Sequence, residues 1–192
     1  MAESGYIIRE LKELKGFTGF IEEIVVEQLK LNRFGAASDL AKIFIIYEEG
    51  GFLLDLDFYI VDWDIQINYL FDFYGWGLLE KQGGFKITNT FGFGAKPNHP
   101  IHREYFEIIK ENREASKKGT YFLSRCYDKT AGSTLFDTGP YIHALSYYRQ
   151  SNKGNNVDIS LDYDYNTFPL NHGEFEVKIK DSDPIKISYT AD

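Results

Sequence analysis

Only one cysteine, Cys126, occurs in 192 residues. That scarcity excludes an internal disulfide framework and a cysteine-rich zinc site, and makes a reducing compartment the default expectation. No run approaches the ~20 apolar residues that span a bilayer. The first residues, with Glu3, Arg9 and Glu10 among them, lack the apolar core of a signal peptide. Asn-x-Ser/Thr glycosylation acceptors are missing as well. These absences together predict a cytoplasmic protein without a membrane span. Positive charge is also scarce, with 21 Lys and Arg against 29 Asp and Glu and a formal net charge of −8. Nucleic-acid binding needs concentrated Lys and Arg, and here the basic residues are scattered, so no nucleic-acid partner is expected.

Several catalytic signatures are lacking too. There is no Gly-x-Ser-x-Gly elbow, no Gly-x-x-x-x-Gly-Lys-Ser/Thr phosphate loop and no His-Glu-x-x-His. The four histidines, His99, His102, His143 and His172, show no metal-ligand spacing and read as surface or satisfied core residues. Cys126 has no nearby histidine to activate it. What remains is a chain that is 43% hydrophobic and 17% aromatic, far from the composition of disordered segments. Its length fits a single folded domain.

The first third reads as helix. Tyr6, Ile7, Leu11 and Leu14 share one stripe, and Ile21, Ile24, Val25 and Leu29 repeat it after the Gly16–Gly19 break. A third helix follows, with Ser38 as its N-cap, Leu40, Ile43, Phe44 and Tyr47 on one face and Gly50-Gly51 as its stop. Phe52 to Phe58 then reads as a short buried strand carrying Asp55 and Asp57. The aromatic stretch from Trp63 to Trp76 reads as irregular, and Phe85 to Phe91 as a strand. Helices are expected from about Ile101 to Ser116 and from Pro140 through Tyr148, with strands at 157–161, 175–179 and 185–189. This succession predicts an α/β fold: a mixed sheet flanked by helices, with a helical N-terminal region and a β-rich C-terminal tail.

Four Asp-x-Asp pairs occur, so the spacing alone has little diagnostic value. Asp62/Asp64 and Asp181/Asp183 lie in loop-like contexts that suit solvated acids. The stretch from Asp162 to Gly173 opens like a calcium loop but has Thr167 where Gly is needed and Gly173 where Glu is needed, which rejects it. Asp55 and Asp57 differ because they alternate with Leu54 and Leu56 at the end of an apolar strand. Two carboxylates on one strand face lie about 7 Å apart along the chain. They repel each other unless a cation or hydrogen-bond donors compensate. An oxygen-only pair favours Mg²⁺ or Mn²⁺. Asp39, in the expected first turn of its helix, pairs locally with Lys42 three residues on.

The stretch from Ala36-Ala37-Ser38-Asp39-Leu40-Ala41-Lys42 through Gly50-Gly51 to Asp55-Leu56-Asp57 resembles the signature of glycosyltransferases that carry a DXD-containing sugar-binding region. That group includes initiating mannosyltransferases, bacterial capsule and lipooligosaccharide transferases and the glucosyltransferase domains of clostridial toxins. Asn89 to Ala95 with His99-Pro100, Thr138-Gly139-Pro140 and Phe168-Pro169-Leu170 resemble later segments of the family. The resemblance implies a GT-A type sheet and retaining transfer of a sugar from a UDP- or GDP-sugar donor to a carbohydrate, lipid or protein acceptor. It implies Mn²⁺ or Mg²⁺ as cofactor, held by Asp57 and Asp55, the catalytic carboxylates. Ser38, Asp39, Lys42, Asn89, Thr138 and Gly139 are implied as donor-sugar-binding residues, with Lys42 standing where the family has Arg. On this reading residues 1–192 form one domain: a helical lead-in over 1–35, the signature over 36–58, the rest of the catalytic region over 59–170 and a β tail over 171–192. The family's opening nucleotide-binding unit is not recognisable in residues 1–35, which implies a domain shortened at both ends. The alternative is a non-catalytic carbohydrate- or protein-binding module.

Overall fold

The computed structural model describes residues 7–55, 58–60, 66–79, 86–119, 134, 136–163, 172–177 and 185–190. In chain order these form α1 (Phe20–Lys30), α2 (Phe34–Glu49), β1 (Gly51–Leu54), β2 (Phe58–Ile60), α3 (Ile67–Leu70), β3 (Phe73–Leu79), β4 (Lys86–Ala95), α4 (Pro100–Lys117), α5 (Pro140–Gln150), β5 (Asp158–Tyr163), β6 (His172–Val177) and β7 (Ile185–Thr190). One sheet has the order β1-β4-β3-β5 and is mixed, since β5 runs parallel to β3 while the other pairs are antiparallel. The second sheet, β2-β7-β6, is antiparallel. The α/β class, the mixed sheet and the strand-rich tail are as the sequence predicts.

Helix α4 shows why the chain folds this way. Pro100 occupies its first turn, and Ile101, His102, Tyr105, Phe106, Ile108 and Ile109 are buried along one face. This stripe joins Ile43 and Phe44 of α2, Ile142 of α5 and Phe73 and Phe93 of the sheet in one core. Each such large side chain, fully buried, contributes about 1.5–3 kcal/mol. Ion pairs fix the outer faces: Arg113 of α4 reaches Glu23 and Glu27 of α1, and Glu104 holds Arg149 of α5 at 3.0 Å.

His99 ties α4 to the sheet. Its Nδ1 accepts the Ile101 N–H at 3.2 Å, capping the helix, which places the ring proton on Nε2 for Asp158 Oδ1 at 3.0 Å. The second Asp158 oxygen accepts the Asn152 N–H at 2.8 Å. Both His99 and Asp158 side chains are fully buried, and each polar atom in the chain of bonds has work to do.

Four sequence expectations change. Helix α2 begins at Phe34, with Arg33 as N-cap, because Phe34-Gly35-Ala36-Ala37 already winds and the Ala37 N–H bonds the Arg33 carbonyl at 3.0 Å. Ser38 is therefore an exposed residue inside the helix and caps nothing, and Asp39 lies beyond its first turn. Among residues 7–19 only a single 3₁₀ turn, Leu11–Glu13, forms, and Ile7 is 85% exposed. Strand β1 ends at Leu54 and is a half-buried sheet edge, since its ladder on β4 runs only from Gly51 to Leu54. The aromatic stretch contains β3, an interior strand, from Phe73. Gly75 and Gly77 erase its alternation, and across the sheet glycine is needed too, since a Cβ on Gly94 of the neighbouring strand would run into the Tyr74 ring.

Two outcomes follow for stability. Gly94→Ala forces Tyr74 or β4 to shift, and a loss of about 1–3 kcal/mol is expected from urea unfolding. The second concerns His102, which is fully buried, has no hydrogen-bond partner for either ring nitrogen among the described residues, and titrates well below the ordinary 6.5 because burial, then His143 and His99, oppose its charge. The unfolded chain binds that proton and the folded one does not, so stability is full above the ordinary histidine range and falls as pH drops through it. His102→Leu is expected to flatten that acid limb in pH-dependent denaturation.

Candidate functional site

The turn from α2 into β1 builds the main cluster. Gly50, at φ +68°, ends the helix, and Gly51, at φ +100°, starts the strand. Neither angle suits a residue with a side chain. A Cβ on Gly50 would also lie 2.6 Å from Pro97 Cδ, so the ring closes over the turn. Asn98 donates its N–H to the Tyr47 carbonyl at 2.6 Å, satisfying one of the helix's terminal carbonyls. The chain then doubles back on itself. Lys42 lies about 10 Å back along the helix from Glu49, and Asp55 about 13 Å along the strand from Gly51, at 1.5 and 3.3 Å per residue. These near-equal lengths bring the two side chains abreast.

Lys42 Nζ accordingly lies 2.7 Å from Asp55 Oδ1 and 3.6 Å from Asp39 Oδ1. The Asp39 and Lys42 side chains are 11% and 18% exposed, and Asp55 is 33% exposed. One half-desolvated ammonium thus serves two carboxylates. It is a geometry in which breaking the pair leaves a buried charge without compensation.

Behind Asp39 stands Tyr105 of α4, fully buried, whose hydroxyl donates to the Thr138 carbonyl. Burial, and then the nearby Asp39 carboxylate, holds its phenol well above the ordinary 10.0. Thr138 is buried, its hydroxyl donates to the Thr134 carbonyl at 3.4 Å, and Gly139 caps α5 with its N–H on that same carbonyl at 2.7 Å. Tyr105 therefore anchors the Thr138-Gly139 turn.

The structure thus joins Asp39, Lys42 and Asp55 directly, and holds the Thr138-Gly139 turn on Tyr105. Ser38 is exposed on α2. Asn89 lies within β4, three residues before Gly92, the residue paired with Leu54. Asp57 lies outside the described residues. Tyr105 is the residue that sequence reasoning missed: its place in an apolar helical stripe reads as core, and only its hydroxyl's position gives it a second role.

Among the described residues no three His, Cys, Asp or Glu side chains form a metal cage. A hard cation that keeps its waters needs only one or two carboxylates, and the partly exposed Asp55 is an oxygen donor of that kind. Among the described residues no helix is long and apolar enough to cross a membrane.

No family model matches the sequence, and no curated protein matches it. Among solved structures, one titled PaToxG Glycosyltransferase is similar with a TM-score of 0.49 and 15% identity, covering 73% of this chain and 44% of that chain. The chain thus spans less than half the length of that protein.

The cluster makes a direct prediction. Lys42→Met leaves Asp39 and Asp55 facing each other without their cation, at an expected cost of about 1–2 kcal/mol, between the surface and buried limits for ion pairs. Adding Asp55→Asn is expected to recover part of that loss in a double-mutant cycle.

Proposed function

We propose that this chain is a glycosyltransferase domain that takes a nucleotide-sugar donor at the Asp39–Lys42–Asp55 cluster. The observation that carries the reading is the Lys42 ammonium between Asp39 and Asp55, residues of a helix and of a strand end. These are residues of the stretch that resembles the transferase signature, and the helix-turn-strand reversal brings them to one place.

Each residue then has a chemical part. Asp39, mostly buried and acceptor-only when ionised, receives hydrogen bonds from sugar hydroxyls. Lys42 offsets the carboxylates' charge and offers its remaining donors to sugar oxygens. Asp55 orients Lys42 through the 2.7 Å contact. Tyr105 keeps the Thr138 carbonyl occupied and so fixes the turn beside the cluster. Mn²⁺ or Mg²⁺, held through Asp55 and Asp57, would supply positive charge to a departing nucleoside diphosphate. Acceptor choice and retention belong to the same reading as implications of the resemblance.

Thermal unfolding with UDP, GDP and their sugars, each with and without Mn²⁺, tests it. A ligand at about 100 times its Kd adds about 2.7 kcal/mol, worth about 5–10 °C in a chain of this length. The expected result is a Mn²⁺-dependent rise with one nucleotide family that Asp57→Ala abolishes and Asp39→Asn weakens for the sugar form only. Cooperative unfolding with no shift for any nucleotide would overturn the proposal.

A further inference from the structure

Three imidazoles form a layer where α4 and α5 meet the sheet. His99 and His102 come from the start of α4 and His143 from α5, and all three are fully buried. The His102 ring centroid lies 6.3 Å from that of His99 and 5.7 Å from that of His143, and the His102 and His143 rings are nearly parallel. On the sheet side Phe73 of β3 packs on all three rings, and Phe93 of β4 packs on His102 and His143. Leucine or phenylalanine would fill such a place without burying polar ring atoms. Histidine brings a group whose ordinary titration falls between about pH 5 and 8.

The surroundings decide how the layer takes protons. Besides its imidazoles, α4 presents Tyr105 to His143, and α5 presents Tyr147 to Phe73. Phenols carry no charge in acid. Strands β3 and β4 contribute phenylalanines, and β5 contributes Asp158, which is bonded to His99 Nε2 and to the Asn152 N–H. Neither ring nitrogen of His102 has a partner among the described residues, so no described carboxylate meets a proton arriving there. His99 resists a second proton for another reason, since its Nδ1 accepts the Ile101 N–H and protonating it would break the cap of α4. Charges about 6 Å apart in a poorly hydrated layer repel each other. Once water reaches the rings both penalties vanish, so uptake and opening are coupled.

The bonds on the outer face decide what moves. Glu104 of α4 holds Arg149 at 3.0 Å and Gln150 at 2.7 Å, pinning α4 and α5 to each other through groups that do not titrate with histidine. Toward the sheet the same two helices rest on the imidazole layer. Tyr105, three residues on from His102, holds the Thr138 carbonyl, so the turn that opens α5 travels with α4.

We propose that this layer is an acid-operated latch: protons taken up together by His102 and His143 lift α4 and α5 off the sheet as a pair, with the Thr138-Gly139 turn, while the helices themselves persist. The latch differs from a simple loss of stability at His102 in two respects. It takes at least two protons, and it opens one face of the fold rather than the whole chain. It is independent of the transferase reading.

Circular dichroism of the full chain between about pH 7 and pH 5 tests this, with the near-ultraviolet signal reporting aromatic packing and the far-ultraviolet signal reporting helix. The expected result is a reversible loss of the aromatic signal with the helical signal retained. The ratio of open to closed protein is expected to rise more than tenfold per pH unit, since tenfold is the limit for one proton. The Gly139 amide NMR signal is expected to shift over the same range. His102→Leu and His143→Leu are each expected to bring the rise to tenfold or less per pH unit. Where either variant fails to fold, the other variant and the wild-type steepness decide. Loss of both dichroism signals together, no transition in this range, a wild-type rise of tenfold or less, a Gly139 signal that does not follow, or an unchanged transition in a folded variant would each overturn the proposal.

Discussion

The reversal at Gly50-Gly51 is the constraint on which the polar cluster depends. Its two positive φ angles let a sixteen-residue helix turn straight into a sheet edge without an intervening loop. A longer connection would let α2 and β1 slide relative to each other, and Lys42 would no longer sit beside Asp55. Pro97 closing over Gly50 and Asn98 bonding the Tyr47 carbonyl hold the turn from just past the end of the neighbouring strand. Those two residues follow β4 directly, so the strand that pairs with β1 also clamps the turn that produces β1. The register of the sheet edge and the position of the ion pair are thus one feature.

The core solves a different problem. Three histidines, His99, His102 and His143, are fully buried among Phe73 and Phe93. His99 bonds the Ile101 N–H and Asp158. His102 and His143 stack with ring centroids 5.7 Å apart, and His102 stays neutral there because charging it would desolvate a cation beside two other imidazoles. The His99–Asp158 link joins the start of α4 to β5, while Lys96 joins Asp72, ahead of β3, to Asn156, ahead of β5. Polar bonds hold the ends of these elements, and aromatic packing fills between them.

The sequence makes the long helices and the tail strands legible because their signals are local. Pro100 and Pro140 mark helix starts, Gly50-Gly51 marks a stop, and 3.6-residue stripes run between. It hides β3, because an interior strand with Gly at alternate positions shows no alternation, and the reason for a glycine lies across the sheet, as Gly94 against Tyr74 shows. It misplaces the start of α2, since Ser38 is a good N-cap type but the four residues before it already wind. Asp39, Lys42 and Asp55 are legible as a group from one contiguous motif, whereas Tyr105 and Thr138 come together from distant segments and carry no local mark.

The charge balance of the cluster bears on what it can hold. Two carboxylates and one ammonium leave it one charge negative before Asp57 is counted, so an anionic diphosphate gains little from the described residues alone. On the proposed reading a sugar hydroxyl would instead find acceptors in Asp39 and Asp55 and a donor in Lys42. An arginine at position 42 would spread five donors over a rigid fork, while lysine concentrates its charge at one atom. That atom is already engaged at 2.7 Å by Asp55. Any diphosphate binding would therefore require further positive charge near Asp55, and on the proposed reading the cluster takes the sugar end of the donor while the phosphate end depends on charge supplied beside it.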